Sequence, residues 1–110
     1  MNVTTRPQDP DALLQLALAR HQRGELDKAR QGYLAILAIA PRNANALHLL
    51  GVVERQQGQP ACAVALIDQA IGIDSRQATM HANLGAAWQD LTTGVREWSS
   101  LPELTTARSS

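Results

Sequence analysis

The chain has no phenylalanine, one tyrosine, two tryptophans and a single cysteine among its 110 residues. Aromatics make up 3% of it and hydrophobic residues 45%. A core must then be assembled from Leu, Ile, Val and Ala, which suits closely packed helices better than a β-sandwich. A lone Cys62 excludes an internal disulfide, and one thiol does not make a metal centre. Its simplest role is that of a small apolar filler inside the core. Ten basic and ten acidic side chains cancel, so the basic surface that marks nucleic-acid binding is missing. The longest apolar run, Leu34 to Ala40, is far too short to span a bilayer. The first ten residues, MNVTTRPQDP, lack the apolar segment of a secretory signal. A cytoplasmic location is the expectation.

The constellations of catalysis are also lacking. No Gly-rich phosphate loop is present, and no nucleophile stands at a readable spacing from a base. His21, His48 and His81 fall on different predicted helices, with no carboxylate or thiol at ligand spacing beside them. We therefore expect no metal, no cofactor and no enzymatic activity from this chain.

What the chain does have is a period. Leu16, Leu50 and Leu84 lie at a fixed offset of 34 residues, as do Leu13, Leu47 and His81, and Ala17, Gly51 and Gly85. In the second half of each unit the same offset joins Gly24 to Gly58, Ala29 to Ala63, Tyr33 to Ile67, Leu37 to Ile71 and Ile39 to Ile73. A period of this length that keeps side-chain size and polarity is the mark of a stacked repeat array.

Each unit reads as two short helices. Asp9-Pro10-Asp11 supplies a cap, a first-turn proline and an acid near the positive end of the dipole, so the first helix is expected from about Pro10 to Gln22. Gly24 provides the left-handed stop. Leu26, Ala29, Tyr33, Ile36 and Leu37 form one face of a second helix, which Pro41 ends. The unit from Ala44 repeats this with Gly58 as its turn and Pro60 opening the second helix. A third begins at Ala78 and breaks off after Leu91, where Ser, Thr and Pro102 lower helix propensity. The expected organisation is a loose N-terminus over 1–9, repeats over 10–43, 44–77 and a partial 78–91, and an irregular tail over 92–110.

These residues carry a resemblance to the tetratricopeptide repeat (TPR) family, over roughly Pro10 to Leu91. The first copy matches its pattern at Leu13, Leu16, Ala17, Ala29, Tyr33 and Pro41. The second matches at Leu47, Leu50, Gly51, Ala63 and Ala70, and the third at Leu84, Gly85 and Trp88. The pattern is departed from at Arg20, Ile36, Glu54, Ile67 and Ser75. The string ILAIAPRNANALHLLGVVERQQGQ also looks like bacterial repeats found ahead of glycosyltransferase-like domains. The resemblance implies an all-α, right-handed solenoid of helical hairpins, here two and a half repeats and five helices, serving as a protein-interaction module.

Such an array presents a concave face built mainly from the first helix of each pair. By family analogy that face holds Leu14, Leu18 and His21, then Asn45, His48, Leu49, Val52 and Arg55, then Asn83, Ala86 and Gln89. The expected partner is an extended or helical segment of another protein, with Leu49 and Val52 as apolar contacts and His48 and Arg55 as polar ones. The family's carboxylate clamp is missing, because Leu14, Leu18, Thr79 and Asn83 occupy its places. An asparagine ladder like that of related glycosyltransferases is represented by Asn83 alone, with Gln15 and Leu49 at the earlier rungs. A rival reading makes the chain an inactive N-terminal fragment of a larger glycosyltransferase-like enzyme. A third, a DNA-binding helix pair, is disfavoured by the zero net charge. Without a sixth helix, Leu84, Trp88 and Leu91 are expected to lack cover. End-to-end self-association, marginal stability, or a cap formed by Val95, Trp98, Leu101 and Leu104 would answer that.

Overall fold

The computed structural model describes residues 9–99, with side chains described to residue 93. Five helices follow in order: α1 (Pro10–Gln22), α2 (Leu26–Ile39), α3 (Ala44–Gln56), α4 (Pro60–Ile73) and α5 (Ala78–Ser99). The Asp9 carboxylate accepts a hydrogen bond from the Asp11 backbone N–H, and Pro10 is the first residue of α1. At α3 the Asn43 side chain accepts from the Ala46 backbone N–H at 3.0 Å. Both caps engage N–H groups that the first helical turn leaves without partners. Gly24 and Gly58 each take φ of +81°, so both hairpins turn through the residue type that reaches this region without a Cβ penalty.

The helices pack in file: α1 on α2, α2 on α3, α3 on α4 and α4 on α5, with α3 also touching α5. Two buried clusters result. The first joins Ala17 of α1, Ala29, Tyr33 and Ile36 of α2, and Ala46, Leu50 and Val53 of α3. The second joins Leu47 of α3, Ala63, Val64, Ile67 and Ala70 of α4, and Met80 and Ala87 of α5. Leu37 and Leu66 pack against both. No α1 residue enters the second cluster. Each hairpin therefore lends its second helix to the first helix of the next, as in a quasi-one-dimensional array.

The stripe that makes this contact recurs at the repeat offset. Ala46, Leu50 and Val53 of α3 are buried against α2; Met80, Leu84 and Ala87 of α5 pack against α4, Leu84 only partly buried. The same stripe on α1 is Ala12, Leu16 and Ala19, and there Leu16 is 47% exposed. Nothing among the described residues covers it.

Close approach within the hairpins is set by small residues, but not always on the same helix. A Cβ added to Gly51 would stand 2.7 Å from Ile67 Cγ1 and 3.2 Å from the Ala63 carbonyl oxygen. In the first hairpin the glycine sits on the other helix: a Cβ on Gly32 would meet Ala17 Cβ at 2.7 Å. Ala17 is the repeat counterpart of Gly51, so volume added on one helix is removed from its partner.

Two sequence expectations are corrected. The third unit does not end at Leu91, because α5 continues to Ser99. The reason lies at the turn position: the counterpart of Gly24 and Gly58 is Thr92, a β-branched residue for which positive φ is strongly disfavoured. The Thr92 hydroxyl instead donates to the Trp88 carbonyl at 2.9 Å, one turn back in the same helix. Gly94 costs a helix only about 1 kcal/mol, and no proline intervenes before Pro102. Cys62, read as a core filler, is exposed. Of the N-terminus expected to be loose over 1–9, residues 1–8 lie outside the described residues, as do residues 100–110 of the tail expected over 92–110 and the side chains of Val95, Trp98, Leu101 and Leu104.

Candidate interaction face

The first helices of the units, α1, α3 and α5, form one layer, and its polar side chains bond to one another across the repeats. His21 bridges two helices at once. Its Nδ1 lies 2.9 Å from the Tyr33 hydroxyl and its Nε2 2.7 Å from Gln56 Oε1. With the proton on Nε2, the imidazole accepts from the tyrosine and donates to the amide. The Asn83 side-chain amide donates to His48 Nε2 at 2.7 Å. Arg55 Nε donates to Asp90 Oδ2 at 2.6 Å. Each of these three links from α1 to α3 or from α3 to α5 joins residues 35 apart, one more than the repeat. Gln77, just before α5, adds a fourth by donating to Asn45 Oδ1 at 3.2 Å.

The sequence-predicted residues are thus brought to one layer, in two groups. His21, Asn45, His48, Arg55 and Asn83 have side chains engaged in these bridges. Leu14, Leu18, Leu49, Val52 and Ala86 are half-buried, and Gln89 is exposed. His48 departs from its expected role as a surface contact, since only 6% of it is accessible. Asn83, the one residue that fitted the asparagine ladder, is held by that histidine. Sequence reasoning missed Gln56 and Asp90 as partners; the signal was a charged or amide residue one position beyond the repeat offset.

A second set of polar contacts ties α2 to α3 on the other side. Arg30 Nε donates to Glu54 Oε2 at 2.8 Å, and Gln57 donates to Asp27 at 2.9 Å. The Arg30 guanidinium is held above its ordinary pKa by that hydrogen bond and by the Glu54 charge. Glu54, standing where the family pattern has an aromatic, is buried and paired. Asp74 at the end of α4 is held down to about 2, chiefly by its hydrogen bonds from Arg76. An open depression of about 620 Å³ lies between the α2–α3 and α4–α5 connections, lined among others by Asn43, Asn45, Asp74 and Gln77. It meets the predicted face only at Asn45. No group of three or more metal-ligating side chains occurs among the described residues.

Two buried groups make the stability of the fold depend on pH. Burial lowers the His48 pKa below its usual 6.5. The unfolded chain therefore takes up the proton first as pH falls, and stability present above 6.5 is lost through the histidine's lowered folded pKa. Burial pushes Tyr33 up to about 12 from 10.0. There the folded chain keeps a proton that the unfolded chain loses, so stability falls again as pH rises from 10 towards 12. Urea midpoints across the pH range are expected to show both limbs. His48→Gln, which retains an acceptor for Asn83, should flatten the acid limb, and an unchanged slope would contradict the assignment.

Comparison with known proteins agrees with the fold. No family model matches the chain, and no curated protein does. Solved structures do. A segment of a mutant O-GlcNAc transferase of Thermobaculum terrenum is 31% identical over 79% of this chain, which spans 16% of that one, with a TM-score of 0.71. The Sgt2 TPR domain of Aspergillus fumigatus is 26% identical over 81% of this chain and 62% of its own length, at a TM-score of 0.72. MamA, 21% identical, superposes over 82% of this chain and 52% of its own with a TM-score of 0.71. The chain is an all-α helical-hairpin solenoid of tetratricopeptide-repeat type, and it spans less than two thirds of each of these proteins.

Proposed function

We propose that the chain is a protein-interaction module, with the face of the α1, α3 and α5 layer receiving a segment of another protein. The observation that carries this is the set of half-buried apolar side chains, Leu14, Leu18, Leu49, Val52 and Ala86, in a layer whose helices are bridged by side-chain hydrogen bonds. A repeat array offers such a face with little loss of order on binding. Replacing Val52 by Asp and Arg55 by Ala together is expected to abolish capture of the native partner from a cell extract, with far-ultraviolet dichroism unchanged. Undiminished capture by the doubly substituted chain would remove this reading.

The two ends of the array support a second association. Leu16 on α1 is 47% exposed and Trp88 on α5 is 50% exposed. A Cβ on Gly85, the counterpart of Gly51, would meet nothing within 4 Å. These are positions where inner repeats bury their side chains. End-to-end pairing of copies would cover both, and sedimentation equilibrium is expected to show concentration-dependent mass that Trp88→Lys eliminates. A monomer at all concentrations would dispose of it.

A different reading, that the chain is a repeat segment of a larger glycosyltransferase-like protein, is favoured by the 31% identity to the Thermobaculum transferase. Translating the genomic DNA downstream in all frames tests it. Further repeats of the same period would support it, and their absence would count against it.

A further inference from the structure

The last helix outruns the one it packs on. α5 has 22 residues against 14 in α4, and the connection between them is short. Its final two turns therefore extend about 12 Å past the start of α4, at 1.5 Å per residue. Over its first half, Met80, Leu84 and Ala87 pack on α4. The apolar pattern continues beyond them. Leu84, Trp88, Leu91, Val95 and Trp98 follow one another at alternating spacings of four and three, the step that keeps one face of a helix towards a partner helix. Trp88 is 50% exposed and Leu91 half-buried, and Val95 and Trp98 stand in the same register on the turns past α4.

The free part of this seam reads the same in both directions. Trp88, Leu91, Val95 and Trp98 are placed symmetrically about Thr93, tryptophans outside and branched aliphatics inside. A helix with the same four residues running the opposite way sets Leu91 beside Val95 and Trp88 beside Trp98, twice over. A parallel copy would have to run its first half through the space that α4 holds beside Met80, Leu84 and Ala87. An antiparallel copy overlaps α5 only where α4 has ended. The residues flanking the seam, Ala87, Thr92, Gly94 and Ser99, are small and uncharged, so identical helices meet without repulsion between like charges. Two tryptophans per copy bring about 300–500 Å² to the contact, and with Leu91 and Val95 the pair approaches the roughly 1,200 Å² at which specific interfaces begin.

Resting on the end-to-end association proposed above, we propose that the ends join like with like. α5 of one copy packs antiparallel against α5 of a second, through Trp88, Leu91, Val95 and Trp98. The contact is two-fold and closes at two chains, whereas joining Leu16 of one copy to Trp88 of the next would be head-to-tail and open-ended.

Sedimentation equilibrium on the full chain and its variants tests this. Leu16→Lys, which alters only the opposite end, is expected to keep an association that stops at the mass of two chains. Adding Val95→Asp, on a turn past the end of α4, is expected to weaken that association at least about hundredfold with far-ultraviolet dichroism unchanged. Orientation is read from a spin label on Ala82→Cys, an exposed position, in a Cys62→Ala background. Antiparallel copies place the two labels about 33 Å apart along the helix axis, and parallel copies within roughly 20 Å. A Leu16→Lys chain that is monomeric where the native chain associates would overturn this inference and leave head-to-tail association standing. A dimer indifferent to Val95→Asp, or labels at the shorter distance, would overturn the antiparallel α5 contact alone. A native chain that is monomeric at every concentration would overturn both this contact and the association it rests on.

Discussion

Replacing Ile67 by Ala is expected to cost about 2–5 kcal/mol, a large share of the 5–15 kcal/mol by which a domain is typically stable. Ile67 is fully buried and belongs to the cluster that joins α3, α4 and α5. Its Cγ1 is also the atom against which the Gly51 backbone rests. Removing it opens a cavity at a place where a glycine already lets two helices approach closely, so the site has little freedom to collapse. In the repeat register it replaces an aromatic, and its counterpart Tyr33 is equally inaccessible. Urea unfolding followed by dichroism would measure the loss. A change below about 1 kcal/mol would mean that α3 and α4 are not packed as described.

The second large effect separates two glycines that the sequence makes look equivalent. Gly51→Ala gains about 1 kcal/mol of helix propensity, but its new methyl would stand 2.7 Å from a side chain that is itself fully buried. Overpacking of this kind costs about 1–3 kcal/mol or more, and the net effect is expected to be destabilising. Gly85→Ala meets nothing within 4 Å, so it is expected to stabilise the chain by about 0.5–1 kcal/mol through propensity alone. Opposite shifts in melting temperature, each of several degrees for a chain of this size, are the result to look for. Shifts of the same sign would show that α5 has a partner where none is described, or that α3 lacks one.

The contrast between these glycines shows how far the sequence could be read. Gly24, Gly58, Pro10 and Pro60 act through the backbone, and their consequences are local, so helix starts and turns were legible. The 34-residue offset reported which residues share an environment, which placed Tyr33 with Ile67 and Leu50 with Leu84. It could not report whether a neighbour was there to complete that environment. Leu16, Trp88 and Gly85 carry the residue types of buried positions, and nothing among the described residues covers them. Ala17 and Gly32 show the reverse case, in which the pattern changes and the packing survives because the partner changes with it.

For the proposed interaction face, the sequence offered a set of positions and not the contacts those positions make. Family register placed Leu18, Val52 and Ala86 in a row, but His48 and Arg55 were expected to face a partner. In the structure their side chains pair with Asn83 and Asp90. Those contacts join residues 35 apart, one step out of the repeat, so a search for equivalent residues passes over them. The end of α5 was misjudged for a related reason. Low average propensity after Leu91 was weighed, when the single substitution of Thr92 for a turn glycine decided the outcome.

Methyl-to-ring and methyl-to-methyl nuclear Overhauser contacts test the central claim, that hairpins stack in file through one recurring stripe. The account predicts contacts from Leu50 to Tyr33 and Ile36, the same pattern from Leu84 to Ile67 and Ala70, and none between Leu16 and Met80. Contacts joining Leu16 of α1 to Met80 of α5 would mean that the helices close into a bundle, and would contradict it.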